Sequence, residues 1–278
     1  MAVNTSGSIS TYLSNVFEAA LLAAREVSVM PRLVTVFNDA QGMHGRAFSS
    51  YSGGTFGTIA ESTDVTAQGF TPSTTGTLTP AVYSASYHMS DMRIASDPFS
   101  VVRDAGMDLG QLYGVGVDTD LVGLFDNLTT GTVGATVTAL AWGTCILKAS
   151  ALIRAAKAPG PYSVVLHPAQ WYDLSAGTPP TLFQSDELKR EFGQFYQASY
   201  AGLDFFVDAN ITNSGGTVIG GMFNRQAIAL DIRRGFRIEV ERHASVGGGG
   251  NEYVASAVYA VGTYRPTFGV ALSGASYG

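Results

Sequence analysis

The fold of this chain is decided by residues 96–128, which read SDPFSVVRDAGMDLGQLYGVGVDTDLVGLFDNL. Asp97 is a good helix N-cap and Pro98 suits the first helical position, so we predict that a helix begins here. Apolar residues then recur at helical spacing as far as Phe125. A helix of about 30 residues would be roughly 45 Å long. A rod of that length is too long for the middle of a compact domain of this size.

Three glycines lie four residues apart in this stretch: Gly106, Gly110 and Gly114. That spacing places them on one stripe of the helix. Each glycine costs about 0.8–1 kcal/mol relative to alanine. We predict that another backbone packs closely against the stripe. The alternative is a bent core helix with low helix propensity.

Composition indicates a protein that buries surface against other chains. Charged residues make up 14% of the 278 residues and hydrophobic residues 46%, whereas about 25% charged residues is usual. Much of the surface must therefore be apolar or weakly polar, which favours contact with partner chains. The net charge of −6 argues against a dedicated nucleic-acid reader, because such proteins carry a basic patch.

The sequence contains no motif that indicates catalysis, a cofactor site or a metal site. The four histidines are not at metal-ligand spacing with other ligands, and no phosphate-binding loop or nucleophile elbow is present. Cys145 lies in an apolar helical pattern, as expected for a small buried residue. His167 precedes Pro168 at a predicted strand-to-helix turn, where a structural hydrogen bond is expected. We predict that the protein is not an enzyme and, since no apolar run reaches 18 residues, that no segment spans a membrane.

Residues 46–80 are rich in Gly, Ser and Thr, and residues 81–94 then alternate like a strand that carries Tyr83 and Tyr87 on one face. We predict that residues 81–94 pair with a strand from residues 48–65 to form a long two-stranded flap. Nothing in the chain itself is expected to cover this flap. Because an isolated hairpin is marginally stable in water, we expect the flap to lie on a neighbouring subunit.

The remaining patterns mix helices and strands without a regular repeat, which predicts the α+β class. Predicted helices cover residues 11–27, 140–158, 168–174 and 186–195. Predicted strands cover residues 31–37, 162–166, 203–207, 218–222, 226–231, 236–242, 252–264 and 267–271.

Three further stretches, together with the order of flap and long helix over 46–128, resemble the major capsid protein of tailed phages, which has the Hong Kong 97 fold. These are SVVLHPAQWYDL at 163–174, IGGMFNRQAIALDIRRGFRIEVER at 219–242 and GTYRPTFGVALSG at 262–274. The first looks like the family's strand, turn and Trp-bearing helix, the second like the stretch leading into its long β-ribbon, and the third like its closing strand.

The resemblance implies a division of the chain into domains. Residues 1–25 would form an N-terminal arm and helix, and residues 46–95 an extended loop. The peripheral domain, with the long spine helix, would contain residues 26–45, 96–138 and 232–263. The axial domain would contain residues 139–231 and 264–278.

The resemblance also implies a structural protein that assembles into pentamers and hexamers of an icosahedral shell around double-stranded DNA. Its partners would be further copies of itself, a scaffold, a portal and a cement protein, and packaged DNA through non-specific contacts, with no membrane. Its location would be the virion and, during assembly, the host cytoplasm. The family's long N-terminal scaffolding region is missing, which suggests a separate scaffold protein or a cleaved N-terminus.

Subunit contacts are expected to involve the flap. The predicted contact residues are Phe56, Ile59, Tyr83 and Tyr87, with Arg46 and Arg93 pairing with carboxylates at the flap's base. Some members of the family join subunits through a lysine of the extended loop, but residues 46–95 contain no lysine, so a non-covalent shell is expected. The alternatives are an encapsulin shell that holds an enzyme cargo, and a β-rich hydrolase or surface adhesin.

Overall fold

This computed structural model describes residues 17, 20, 28–38, 42, 44–52, 54, 56–65, 67–69, 71–96, 101–136, 138–177, 182–245 and 249–275. Phe17 and Ala20 are helical, while the rest of the helix predicted over 11–27 lies outside the described residues. The predicted cap at Asp97 and Pro98 also lies outside them.

The helices and strands are distributed through the whole described chain. The α-helices are α1 (Met30–Leu33), α2 (Asp91–Ser96), α3 (Val101–Val122), α4 (Leu147–Ala155), α5 (Pro168–Ala176) and α6 (Asp186–Phe192). The strands are β1 (Thr35–Asn38), β2 (Arg46–Ser52), β3 (Thr71–Leu78), β4 (Ala81–Ser90), β5 (Thr132–Gly134), β6 (Tyr162–Leu166), β7 (Tyr196–Tyr200), β8 (Leu203–Val207), β9 (Asn213–Ser214), β10 (Thr217–Asn224), β11 (Ile228–His243), β12 (Gly250–Thr263) and β13 (Gly269–Ala275).

The strands form three sheets. One has four strands in the order β1-β11-β12-β4, and a second has seven, in the order β5-β13-β10-β6-β8-β7 with β9 beside β10. The third is the hairpin of β2 and β3. The predicted α+β class is therefore confirmed.

Helix α3 links the two larger sheets. Tyr113, in its middle, packs on Phe236 of the four-stranded sheet with ring centroids 4.9 Å apart. The helix ends at Val122, and a 3₁₀ turn follows at Phe125–Asn127. The side chain of Phe125 is fully buried and lies 5.6 Å from the ring of Phe223 in the seven-stranded sheet. The helical pattern that was predicted as far as Phe125 therefore extends past the end of the helix, because Phe125 reaches the core from a tighter turn.

Strand β4 is not part of a flap, as the sequence predicted, but belongs to the four-stranded sheet. It pairs antiparallel with β12 over ten residues, from Ala81 opposite Tyr259 to Ser90 opposite Gly250. The flap strand predicted over residues 81–94 is thus an edge strand of the four-stranded sheet. The true hairpin is shorter and consists of β2 paired with β3. The period-2 pattern indicated a half-buried strand correctly, but a local pattern carries no information on a partner some 170 residues further along the chain.

Two strands predicted at 226–231 and 236–242 form the single strand β11. Its ladder with β12 continues past two register shifts, between Ile232 and Arg234 and between Arg234 and Arg237. These irregularities break the alternation of side chains, as a β-bulge does. The sequence pattern therefore indicated two strands where the hydrogen-bonded ladder is one.

The turn from β6 into α5 has the predicted structural histidine. His167 is the N-cap of α5, and its Nδ1 accepts a hydrogen bond from the backbone N–H of Ala169 at 3.2 Å. Gln170, which is fully buried, accepts from the His167 N–H through Oε1 and donates to the carbonyls of Val218 and Leu272. Burial lowers the pKa of His167, which keeps the ring neutral and able to accept at the cap.

Candidate subunit interface

The hairpin β2–β3 carries at its far end a loop with exposed apolar side chains among polar ones. Within the described part of this loop, the side chains of Phe56, Ile59 and Val65 are exposed. Phe56 has as much accessible surface as in an isolated chain, 108% of its reference value. A large aromatic side chain with no cover is an uncommon feature that marks an interaction site when neighbouring residues are also apolar.

The base of the hairpin, by contrast, is packed on its own chain. Phe48 of β2 is buried, and its ring lies 5.7 Å from that of Phe37 and 4.5 Å from that of Tyr264. Leu78 of β3 is buried in the same cluster. These contacts fix the base of the hairpin on its own chain, while the described residues of the loop at the other end are exposed.

An ion pair lies beside this aromatic cluster. The carboxylate of Asp231, which is fully buried, accepts from Arg46 Nε at 3.3 Å and from Arg233 Nη2 at 2.8 Å through the same oxygen, Oδ2. The guanidinium of Arg46 also lies 4.4 Å from the centroid of the Phe37 ring. Arg46 therefore meets a carboxylate of its own chain. Arg93 lies exposed on α2, and its pairing with a neighbouring subunit stays a prediction.

Tyr83 and Tyr87, on β4, both have partners within the chain. The Tyr83 ring stacks on that of Tyr259 with centroids 4.1 Å apart, and the Tyr87 hydroxyl donates to Asp108 of α3. Burial raises the pKa of Tyr83, and the hydrogen bond to Asp108 raises that of Tyr87. Both phenols therefore stay protonated donors. Tyr83 is still 40% exposed. Its contact with another subunit, like that of Tyr87, stays a prediction.

A cleft lies between α3 and the four-stranded sheet. It has a volume of about 190 Å³ and is lined mainly by apolar and tyrosine side chains. Leu112 of α3 lines it and is 48% exposed, while Val82 and Met92 add exposed apolar surface on β4 and α2. The sequence analysis did not predict that these three apolar side chains are exposed and available for contact. The signal for Val82 was available, because the alternation that turns Tyr83 to one face turns its neighbour to the other.

The glycine stripe of α3 is buried at all three predicted positions, Gly106, Gly110 and Gly114. At Gly110 an added Cβ would overlap the carbonyl oxygen of Ala20 and lie 2.6 Å from its carbonyl carbon. Another backbone thus approaches α3 at Gly110, while close packing along the whole stripe of three glycines stays a prediction. The approach is between two helical segments of the same chain.

The described residues were also compared with the requirements of a metal site and of a membrane-spanning helix. Within these ranges, no three His, Cys, Asp or Glu side chains come together in a way that could hold a metal ion. The same part of the chain contains no helix with the length and apolar character needed to cross a membrane. The arrangement is suited to packing a protruding apolar loop and an edge strand against other proteins.

Comparison with known proteins connects this geometry to a family. The model of the phage capsid protein family matches residues 73–272. No curated protein sequence is similar enough to this chain to count as a match.

Several solved structures share the fold. The capsid of cyanophage P-SCSP1u has a TM-score of 0.63 at 16% identity, with 90% of this chain and 89% of that chain covered. A structure from Mycobacterium phage Ogopogo has a TM-score of 0.63 at 14% identity, with coverages of 90% and 92%. A virus-like particle from Pyrococcus furiosus has a TM-score of 0.58 at 13% identity, with coverages of 94% and 99%.

These structural neighbours agree with the family match, which spans more than half of the chain. Because the identities are 16% or lower, these matches show the fold alone. That fold is the one that the resemblance in the sequence implied. The chain belongs to the phage capsid protein family and has the Hong Kong 97-like fold.

Proposed function

We propose that this protein is the major capsid protein of a tailed phage, and that it assembles into the pentamers and hexamers of an icosahedral shell around double-stranded DNA. The observation that carries the proposal is the hairpin β2–β3, whose base is packed on its own chain and whose loop presents Phe56 and Ile59 without cover. Membership of the capsid family supplies the partner, since the other shell subunits are copies of the same chain.

In this proposal the loop lies across a neighbouring subunit. Burying Phe56 and Ile59 there contributes about 1.5–3 kcal/mol for each side chain. Exposed ion pairs such as those open to Arg93 contribute less, typically below about 1 kcal/mol each. Burial of apolar surface therefore dominates the contact, and it is repeated at every equivalent position of a closed shell.

Packaged DNA is retained by enclosure in this proposal. The net charge is −6, because the 16 lysine and arginine residues are outnumbered by 22 acidic ones. Few of these cations are therefore left to contact phosphate groups, and such salt-dependent contacts are what give non-specific affinity. A scaffold, a portal and a cement protein complete the proposed set of partners. The proposed locations are the virion and, during assembly, the host cytoplasm.

The experiment compares assembly of the wild-type chain with that of the double variant Phe56→Ser, Ile59→Ser. The matched control is Thr58→Ser with Thr63→Ser, which changes the same loop without removing apolar side chains. Sedimentation and negative-stain microscopy should show shells for the wild type and the control, and small oligomers or monomers for the double variant. Equal assembly of all three proteins would refute the proposed role of the loop.

The contents of natural particles separate this proposal from the encapsulin alternative. Particles isolated from the source should contain double-stranded DNA that nuclease cannot reach until the shell is opened. Particles that contain a co-purifying enzyme and no protected DNA would instead establish the alternative.

A further inference from the structure

Two acidic side chains, Asp118 and Asp208, are buried side by side where helix α3 meets the end of β8. Asp118 is 0% exposed and Asp208 is 1% exposed. Neither lies in the candidate subunit interface, so neither is explained by assembly. Burying one carboxylate is costly without hydrogen bonds, and burying two together is more costly because like charges repel.

Asp118 has the hydrogen bonds that a buried carboxylate needs. Its Oδ1 accepts from the backbone N–H of Val29 at 3.0 Å and of Met30 at 2.8 Å. Its Oδ2 accepts from the side-chain amide of Asn210 at 2.9 Å. Asp118 thus ties the start of α1 and the turn after β8 to the last turns of α3.

Asp208 is less completely satisfied. Its Oδ1 accepts from the backbone N–H of Asn210 at 2.9 Å, whereas its buried Oδ2 has no hydrogen-bond donor. A proton on Oδ2 would convert that oxygen into a donor and allow a hydrogen bond to Asp118. Burial, with the hydrogen bond to Asp118 and its charge, raises the pKa of Asp208 to about 9. Asp208 faces the Asp118 carboxylate of α3 and the backbone N–H of Asn210 in the turn.

We propose that Asp118 and Asp208 share one proton, and that this carboxyl pair is a pH-sensitive latch joining α1 and α3 to the end of β8. With the proton present, one negative charge is buried among several donors. Without it, two negative charges face each other in an apolar surrounding, and the junction between the three segments loosens. The proposal concerns the folded subunit itself and does not depend on the proposed function.

The direction of the pH dependence follows from the raised pKa. Between the ordinary value of 3.8 and about 9, the folded chain holds a proton on Asp208 that the unfolded chain has released. The unfolding equilibrium constant therefore rises with pH across this window, by up to about tenfold per pH unit from this one group. The contribution of the latch is complete below the lower value and is lost as pH rises through the upper one.

The main test is the pH dependence of unfolding for the full chain and the variant Asp208→Asn. The asparagine amide can still donate to Asp118, but it does not titrate. Denaturant unfolding should show a wild-type equilibrium constant that rises more steeply with pH than that of Asp208→Asn, by up to about tenfold per pH unit. The control Asp104→Asn removes an exposed carboxylate from the same helix and should follow the wild type. Parallel curves for wild type and Asp208→Asn would overturn the proposal.

A second measurement needs no variant. Infrared spectra of the wild-type chain at neutral pH should contain the carbonyl stretch of a protonated carboxylic acid, and this band should disappear once the pH is raised well above about 9. Absence of the band at neutral pH would overturn the proposal even if Asp208→Asn does not fold.

Discussion

Two glycines of helix α3 provide a sharp test of the packing, because the same substitution is expected to act in opposite directions. At Gly116 an added Cβ would meet no atom within 4 Å. Gly116→Ala should therefore gain only the helix propensity of alanine, which stabilises the chain by about 0.8–1 kcal/mol. At Gly110 the new Cβ would overlap the backbone of Ala20, and a backbone cannot move aside as a flexible side chain can.

The magnitude for Gly110→Ala is the sum of two opposed effects. The propensity gain is again about 1 kcal/mol, while overpacking costs about 1–3 kcal/mol. The upper end applies, because the two helical segments must separate along their contact. We expect a net loss of about 2 kcal/mol, so that the variants differ by about 3 kcal/mol.

Equilibrium urea unfolding of the unassembled chain is the assay, with thermal unfolding as a second readout. For a chain of this size, about 3 kcal/mol corresponds to midpoints separated by roughly 6–12 °C. Wild-type protein should lie between the two variants. If Gly110→Ala were stabilised as much as Gly116→Ala, no backbone would pack at Gly110, and the reasoning on the glycine stripe would be wrong.

Three further predictions concern the core, the shell and DNA. Gln170→Ala removes the partner of the Val218 and Leu272 carbonyls and of one backbone N–H, so unfolding should be about 2–4 kcal/mol easier; Gln194→Ala, at an exposed site, should change it by less than about 0.5 kcal/mol. Particles boiled in detergent and reducing agent should give one band at 29.1 kDa, because the hairpin and its loop contain no lysine for a cross-link; a ladder of multimers would contradict this. The unassembled chain should bind DNA weakly, without sequence preference and with strong salt dependence; tight binding to one sequence would exclude retention by enclosure.

Local patterns in the sequence predicted much of the fold. The strand β6, the His167 turn and helix α5 were predicted almost to the residue, because a short buried strand, an N-cap and Pro168 are all local signals. Glycines spaced by four residues share a helix face, which is the local signal behind the prediction of close packing along α3. The resemblance to the capsid family added the order in which these elements are arranged.

What the sequence could not predict depends on distant partners. The alternation in β4 indicated a strand but not its pairing with β12. The predicted flap was therefore longer than the hairpin in the structure. The pair of Asp118 and Asp208 was missed because the two residues are 90 positions apart and each alone resembles an ordinary surface acid. The exposure of Leu112 beside the cleft was not predicted either, because helical spacing alone does not show which apolar side chains are covered.

The central claim is that this chain forms a closed shell in which each hairpin lies on a neighbour. Cryo-electron microscopy of particles assembled from the purified chain tests it most directly. We expect closed shells of pentamers and hexamers, with the loop at residues 54–69 packed against the adjacent subunit and Phe56 buried there. Particles that do not close, or shells in which this loop contacts only its own subunit, would contradict the claim.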